Sequence, residues 1–190
     1  MAPFRLAVWV PVLLLAGCTT HRQASSGGLT PLIIAARDGS VPAVEALLRH
    51  GADPDLRGGV NGWTPLMHAV HKNQIGAARA LLDGGAQVDS RGRSGETALM
   101  MAAGYGYTPM VELLLDRGAD PRAETPDGDN VFMIAASGVP DIDHFTLGGC
   151  QAPTLQALKR RDPSLHFPDN VWGKAAKIAL AAAKLRGCTY

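Results

Sequence analysis

Between residues 29 and 138 the apolar positions fall into blocks of two kinds. In the first kind a short run follows a Thr or its neighbour, as in Leu32-Ile33-Ile34-Ala35-Ala36, Leu66-Met67-His68-Ala69-Val70 and Leu99-Met100-Met101-Ala102-Ala103. In the second kind apolar residues return every three to four positions. These are Val44, Leu47 and Leu48, then Ile75, Ala78, Leu81 and Leu82, then Val111, Leu114 and Leu115. A period of 3.6 on one face predicts amphipathic helices. The start signals agree: Thr30 and Thr64 can accept orphan N–H groups, and Pro31 and Pro65 sit where a missing N–H costs nothing. Gly51, Gly85 and Gly118 are placed to end the second helix of each block in the left-handed conformation. Arg57–Gly62, Ser90–Gly95 and Thr125–Asp129 are Gly- and polar-rich, and are predicted to be projecting turns.

The blocks superimpose on one another. Leu29-Thr30-Pro31-Leu32-Ile33-Ile34-Ala35-Ala36 runs to Gly51-Ala52-Asp53-Pro54, and Trp63-Thr64-Pro65-Leu66-Met67-His68-Ala69-Val70 runs to Gly85-Ala86-Gln87-Val88. Glu96-Thr97-Ala98-Leu99-Met100-Met101-Ala102-Ala103 runs to Gly118-Ala119-Asp120-Pro121, and a weaker fourth copy starts at Asn130-Val131-Phe132-Met133-Ile134-Ala135-Ala136. Thr30, Thr64 and Thr97 are 34 and 33 residues apart. This spacing, with its T-P-L-x-x-A-A core, resembles the ankyrin repeat. The resemblance implies an all-α solenoid of helix-turn-helix repeats with β-turn fingers, about four repeats plus a C-terminal helical cap. No repeat can bury its apolar face alone, so the repeats must stack.

After Ala136 the register breaks. Val139–Ala152 reads as an inserted loop, and a helix is expected to resume near Pro153–Arg161 with Leu155 and Leu158 on its apolar face. Asp169-Asn170-Val171-Trp172 echoes Asp129-Asn130-Val131-Phe132, which suggests a last half-repeat over 169–187. Lys174, Lys177, Lys184 and Arg186 would give that cap the polar outer face a solenoid end requires.

The N-terminus is organised differently. Arg5 is followed by ten uncharged residues, Leu6 to Leu15, which as a helix would rise only about 15 Å. That is about half a bilayer core, and Pro11 interrupts it, so it reads as a signal-peptide core and not a membrane span. Leu15-Ala16-Gly17-Cys18 then resembles the lipobox of bacterial lipoproteins. The resemblance implies cleavage before Cys18, acylation of Cys18, and a place in the cell envelope facing the periplasm, at the outer membrane more than the inner since Thr19 follows. Thr19–Gly28 is polar and Gly/Ser-rich, a flexible tether that reaches at most about 35 Å. The expected organisation is therefore 1–17 signal peptide, 18–28 lipidated N-terminus and tether, 29–138 ankyrin repeats, and 139–190 insertion loop and helical cap.

With Cys18 lipidated, two cysteines remain. In an oxidising compartment Cys150 and Cys188 are expected to pair, tying the insertion to the end of the cap and contributing about 4 kcal/mol on a chain-entropy account.

Composition fits thin stacked helices: 46% of residues are hydrophobic but only 5% are aromatic. The formal net charge of +1 gives no case for nucleic acid. The charge is uneven, however, with nine Lys/Arg against fifteen Asp/Glu over residues 29–150 and seven against two over 151–190. An acidic body with a basic tail could steer partners. No phosphate-binding loop, nucleophile motif, H-E-x-x-H or C-x-x-C stands out, so neither an enzyme nor a cofactor is expected. His68 and His71, or Asp141, Asp143 and His144, are weak metal candidates, and no metal site is predicted.

In ankyrin repeats the concave side is built from fingers and first helices. Carried over position by position, the resemblance implies a protein-binding face of Trp63, His68, His71, Lys72, Glu96, Met101, Tyr105 and Asp129, with Ile34, Arg37 and Ile134 beside it, all exposed. A Trp among His, Lys and Tyr suits an interface hot spot. The reading is a monomeric, membrane-anchored scaffold or inhibitor that binds another protein. An immunity or stress-protection protein, or a metal- or haem-associated protein of oxidative defence, are the alternatives.

Overall fold

In the computed structural model, residues 28–137 and 152–165 are described. They contain eight helices: α1 (Pro31–Asp38), α2 (Val41–Arg49), α3 (Pro65–His71), α4 (Ile75–Asp83), α5 (Ala98–Gly104), α6 (Thr108–Asp116), α7 (Val131–Ser137) and α8 (Ala152–Arg161). Odd-numbered helices pack against odd-numbered ones, even against even, and each odd helix packs on the next even one. The result is a two-layer stack of four helix pairs, the ankyrin-repeat fold.

Each inner helix begins where the sequence places it. Thr30, Thr64 and Thr97 accept the backbone N–H of Ile33, Met67 and Met100 on their side-chain oxygens. In the fourth copy Asn130 takes over, its Oδ1 accepting the Met133 N–H at 2.9 Å. A Thr or Asn at this position is worth about 1 kcal/mol over Ala. Gly51, Gly85 and Gly118, just beyond the outer helices, have φ of 83°, 91° and 84°.

The apolar positions form one continuous core through the stack. Leu66, Ala69, Val70, Leu81, Leu99, Ala102, Ala103 and Leu114 are all buried. Ala36, Ala69, Ala78 and Ala102 are fully buried in this core, where a small side chain lets helices pack closely, and each fully buried Leu contributes about 1.5–3 kcal/mol. Three short bridges, Gly58 to Trp63, Arg91 to Thr97 and Glu124 to Asn130, close the fingers ahead of α3, α5 and α7.

Polar rungs tie the first repeat to the second and the second to the third. Asp55 Oδ1 accepts the Gln87 N–H and Asp89 Oδ1 accepts the Asp120 N–H, each at 3.0 Å. Arg57 donates to the Arg91 carbonyl and Arg91 to the Glu124 carbonyl. The sequence carried this signal in the equal 34-residue spacing of Asp55 to Asp89 and of Arg57 to Arg91.

The helix expected to resume near Pro153 runs Ala152–Arg161, with Leu155 and Leu158 buried. It packs on α6 and α7 as the outer helix of the fourth repeat. Arg161 donates to the Leu115 carbonyl and pairs with Asp116, and the hydroxyls of Thr108 and Thr154 are hydrogen-bonded at 2.9 Å. Cys18, Cys150, Cys188 and the cap expected over 169–187 lie outside the described residues, as does the loop expected over Val139–Ala152 apart from Ala152, which opens α8 instead. None of the described helices is long and apolar enough to cross a membrane.

Candidate protein-binding face

The finger base and the inner helices bring Trp63, His68, His71 and Tyr105 together. Trp63 closes the first finger, its carbonyl accepting the Gly58 N–H, while His68 and His71 sit one turn apart on α3. The His68 ring stands edge-on to Trp63 at 5.4 Å between centroids, and the His71 ring lies tilted 5.1 Å from Trp63. His71 then meets Tyr105 of the next repeat at 5.6 Å, with a 3.0 Å hydrogen bond between Nδ1 and the phenol. Tyr105 stacks on Tyr107 at 5.4 Å. A row of rings thus crosses from the second repeat into the third. Tyr107 was missing from the sequence reading; its signal was a second aromatic flanking the tight turn between α5 and α6.

Glu96 occupies in the third repeat the position Trp63 holds in the second, and its Oε1 accepts the indole N–H of Trp63 at 2.6 Å. Its other oxygen, Oε2, is buried and has no hydrogen-bond partner. Asp129 is the next residue in this series. Its backbone is held in the third finger, its N–H donating to the Thr125 hydroxyl at 3.1 Å.

Exposure corrects part of the expected face. His68, Met101 and Tyr105 are 8%, 5% and 7% exposed, so they are buried, not surface groups. For His68 and Tyr105 the cause is the ring packing just described. Met101 belongs to the continuous apolar core. Trp63, His71, Lys72, Glu96, Asp129, Arg37 and Ile134 are half-buried, and Ile34 is exposed.

Burial lowers the pKa of His68 from 6.5 to about 4; the Gly58 carbonyl opposes the shift, and Arg37 and His71 add smaller lowering effects. His68 is therefore a neutral ring at neutral pH, with Nε2 directed at the Gly58 carbonyl at 3.4 Å. Among the described residues no three His, Cys, Asp or Glu side chains gather in a way that could hold a metal ion.

The comparisons agree with this geometry. A family profile described as ankyrin repeats (3 copies) matches residues 10–92, and one described as ankyrin repeats (many copies) matches residues 81–135. The first begins inside the apolar stretch read above as a leader. None of the curated proteins matches the chain. Among solved structures, the crystal structure of the ankyrin repeat domain of Bcl-3, described as a unique member of the IkappaB protein family, matches with a TM-score of 0.55 and 37% sequence identity. The match covers 57% of this chain and 47% of that one, so the chain spans about half the length of that structure. Stacked helix pairs whose inner helices are capped by Thr30, Thr64, Thr97 and Asn130, with two ankyrin profiles that together span residues 10–135, identify the chain as an ankyrin-repeat protein.

Proposed function

We propose that the chain is a non-catalytic, membrane-anchored scaffold or inhibitor of the bacterial envelope that binds another protein through the finger bases and inner helices of its second and third repeats. The observation that carries the binding reading is the row of rings from Trp63 through His71 to Tyr105 and Tyr107, with Lys72 and Glu96 beside it. Rigid aromatic groups flanked by both charges supply contact area at low entropic cost, which is the make-up of interface hot spots. Burial of Tyr105 and His68 holds the row in place, and the half-buried Trp63, His71, Lys72 and Tyr107 keep part of their surface open to a partner. Leu15-Ala16-Gly17-Cys18 supports the anchor, and the anchor on Cys18 sets the compartment.

The test is affinity capture from envelope extract with residues 19–190 as bait. A second bait carries His71→Ser and Lys72→Glu, two partly exposed positions, and must keep its circular dichroism spectrum. A protein held by the first bait and lost from the second is the expected result. Equal capture by both, or capture by neither, contradicts the proposed face. Incorporation of a labelled fatty acid that disappears in Cys18→Ser tests the anchor separately.

A further inference from the structure

A solenoid end needs a polar outer face, because its last repeat has no neighbour to cover it. The first described repeat of this stack leaves large apolar side chains open to solvent among its polar ones. Among the described residues the exposed large apolar side chains are Leu29, Ile34 and Val60, at 37%, 47% and 80% exposure. All three belong to the first repeat or the first finger. Leu29 lies against that finger: a Cβ built on Gly59 would sit 3.6 Å from Leu29 Cδ2, and one built on Gly58 would sit 2.7 Å from the Gly28 carbonyl oxygen. Val60 follows directly at the tip. Ile34 occupies on α1 the position of His68 on α3 and Met101 on α5, which are 8% and 5% exposed. The same position is thus buried inside the stack and open at its first repeat.

We propose that this end, through Leu29, Ile34 and Val60, rests on the lipid surface to which the chain is anchored, so that the solenoid stands with its first repeat against the bilayer. The inference rests on lipidation of Cys18. From Cys18 the chain reaches Gly28 in ten residues, at most about 35 Å when extended, so the first repeat is the part held nearest the membrane. Three apolar side chains would partition weakly by themselves. The anchor makes the encounter intramolecular, and a high effective concentration turns a weak contact into a persistent one. The three side chains named are all hydrocarbon, so the contact is apolar and should depend little on salt. α8, the last helix among the described residues, presents Gln156 and Arg160 to solvent instead.

The full chain is produced in a bacterium that processes lipoproteins, with p-benzoylphenylalanine in place of Val60 or, as a control, of Gln156. Membranes are irradiated and the adducts identified by mass, with fatty-acid labelling of Cys18 measured on the same samples. The expected result is a labelled chain whose probe at position 60 attaches to phospholipid severalfold more than the probe at position 156. Leu29→Asp with Ile34→Asp should remove that excess while leaving the Cys18 label intact. A labelled chain with equal lipid attachment at both positions overturns the orientation and leaves the anchor standing. Attachment at position 60 to a protein also overturns it and marks the patch as part of a protein interface. Absence of the Cys18 label overturns both readings together.

Discussion

Trp63 and Glu96, the residues that precede the helix-capping Thr in successive repeats, are joined by a 2.6 Å hydrogen bond from the indole N–H to the carboxylate. The pair is a cross-repeat link made from a variable position of the repeat, and it fixes the first finger against the second. Loss of the donor leaves its acceptor unsatisfied at a partly buried site, which costs about 1 kcal/mol, the lower end of the range for buried groups. Trp63→Phe keeps most of the ring and removes the donor, so thermal unfolding should show a loss of about that size. Glu96→Gln keeps an acceptor for the indole and replaces the unpartnered Oε2 with a group that needs no negative charge, so its loss should be smaller. Equal losses in the two variants would contradict this account of the pair.

His68 makes stability depend on pH in a definite direction. Its ring is neutral when folded, with a pKa lowered to about 4, whereas the unfolded value is 6.5. The unfolded chain therefore binds the proton more readily, and stability rises with pH between those values. The contribution is full above about pH 6.5 and is lost as pH falls toward 4, amounting to about 3 kcal/mol over that window. Denaturant unfolding at a series of pH values should show this slope, and His68→Gln should flatten it. An unchanged slope in His68→Gln would assign the effect to other groups.

The docking of α8 rests on apolar burial more than on its ion pairs. Leu158 is fully buried, and Leu158→Ala should cost about 2–5 kcal/mol. Arg160 pairs with Glu112 at 3.5 Å with both side chains largely exposed, and Arg160→Ala should cost under about 1 kcal/mol. Denaturant titrations of the two variants rank these effects; the reverse order would mean that charge holds the fourth repeat together.

The repeat architecture was legible because its signals are local. A Thr that caps, a Pro that tolerates its missing N–H and a Gly in the left-handed region each act within a few residues, and they recur with the period. Even the substitution of Asn130 for Thr keeps the same hydrogen bond. The depth of the candidate face was not legible, because it is set across repeats. Carrying positions over from a family assumes a small group at each variable site. Here Trp63 covers His68, and Tyr105 closes on His71 from 34 residues away, so two positions expected to face a partner became packing. Met101 was lost to the core in the same way. The Asp55/Asp89 and Arg57/Arg91 rungs went unread because each joins a side chain to a backbone group, which residue identities reveal only through equal spacing.

The most direct test of the central claim, that the inner face of the second and third repeats binds a protein, is photo-crosslinking in intact cells. p-Benzoylphenylalanine is placed at Lys72, at the end of α3, or at Arg79, exposed on the outer helix α4. The expected result is one protein adduct of discrete mass from position 72 that position 79 does not give. The same adducts from both positions, or none from position 72, would contradict it.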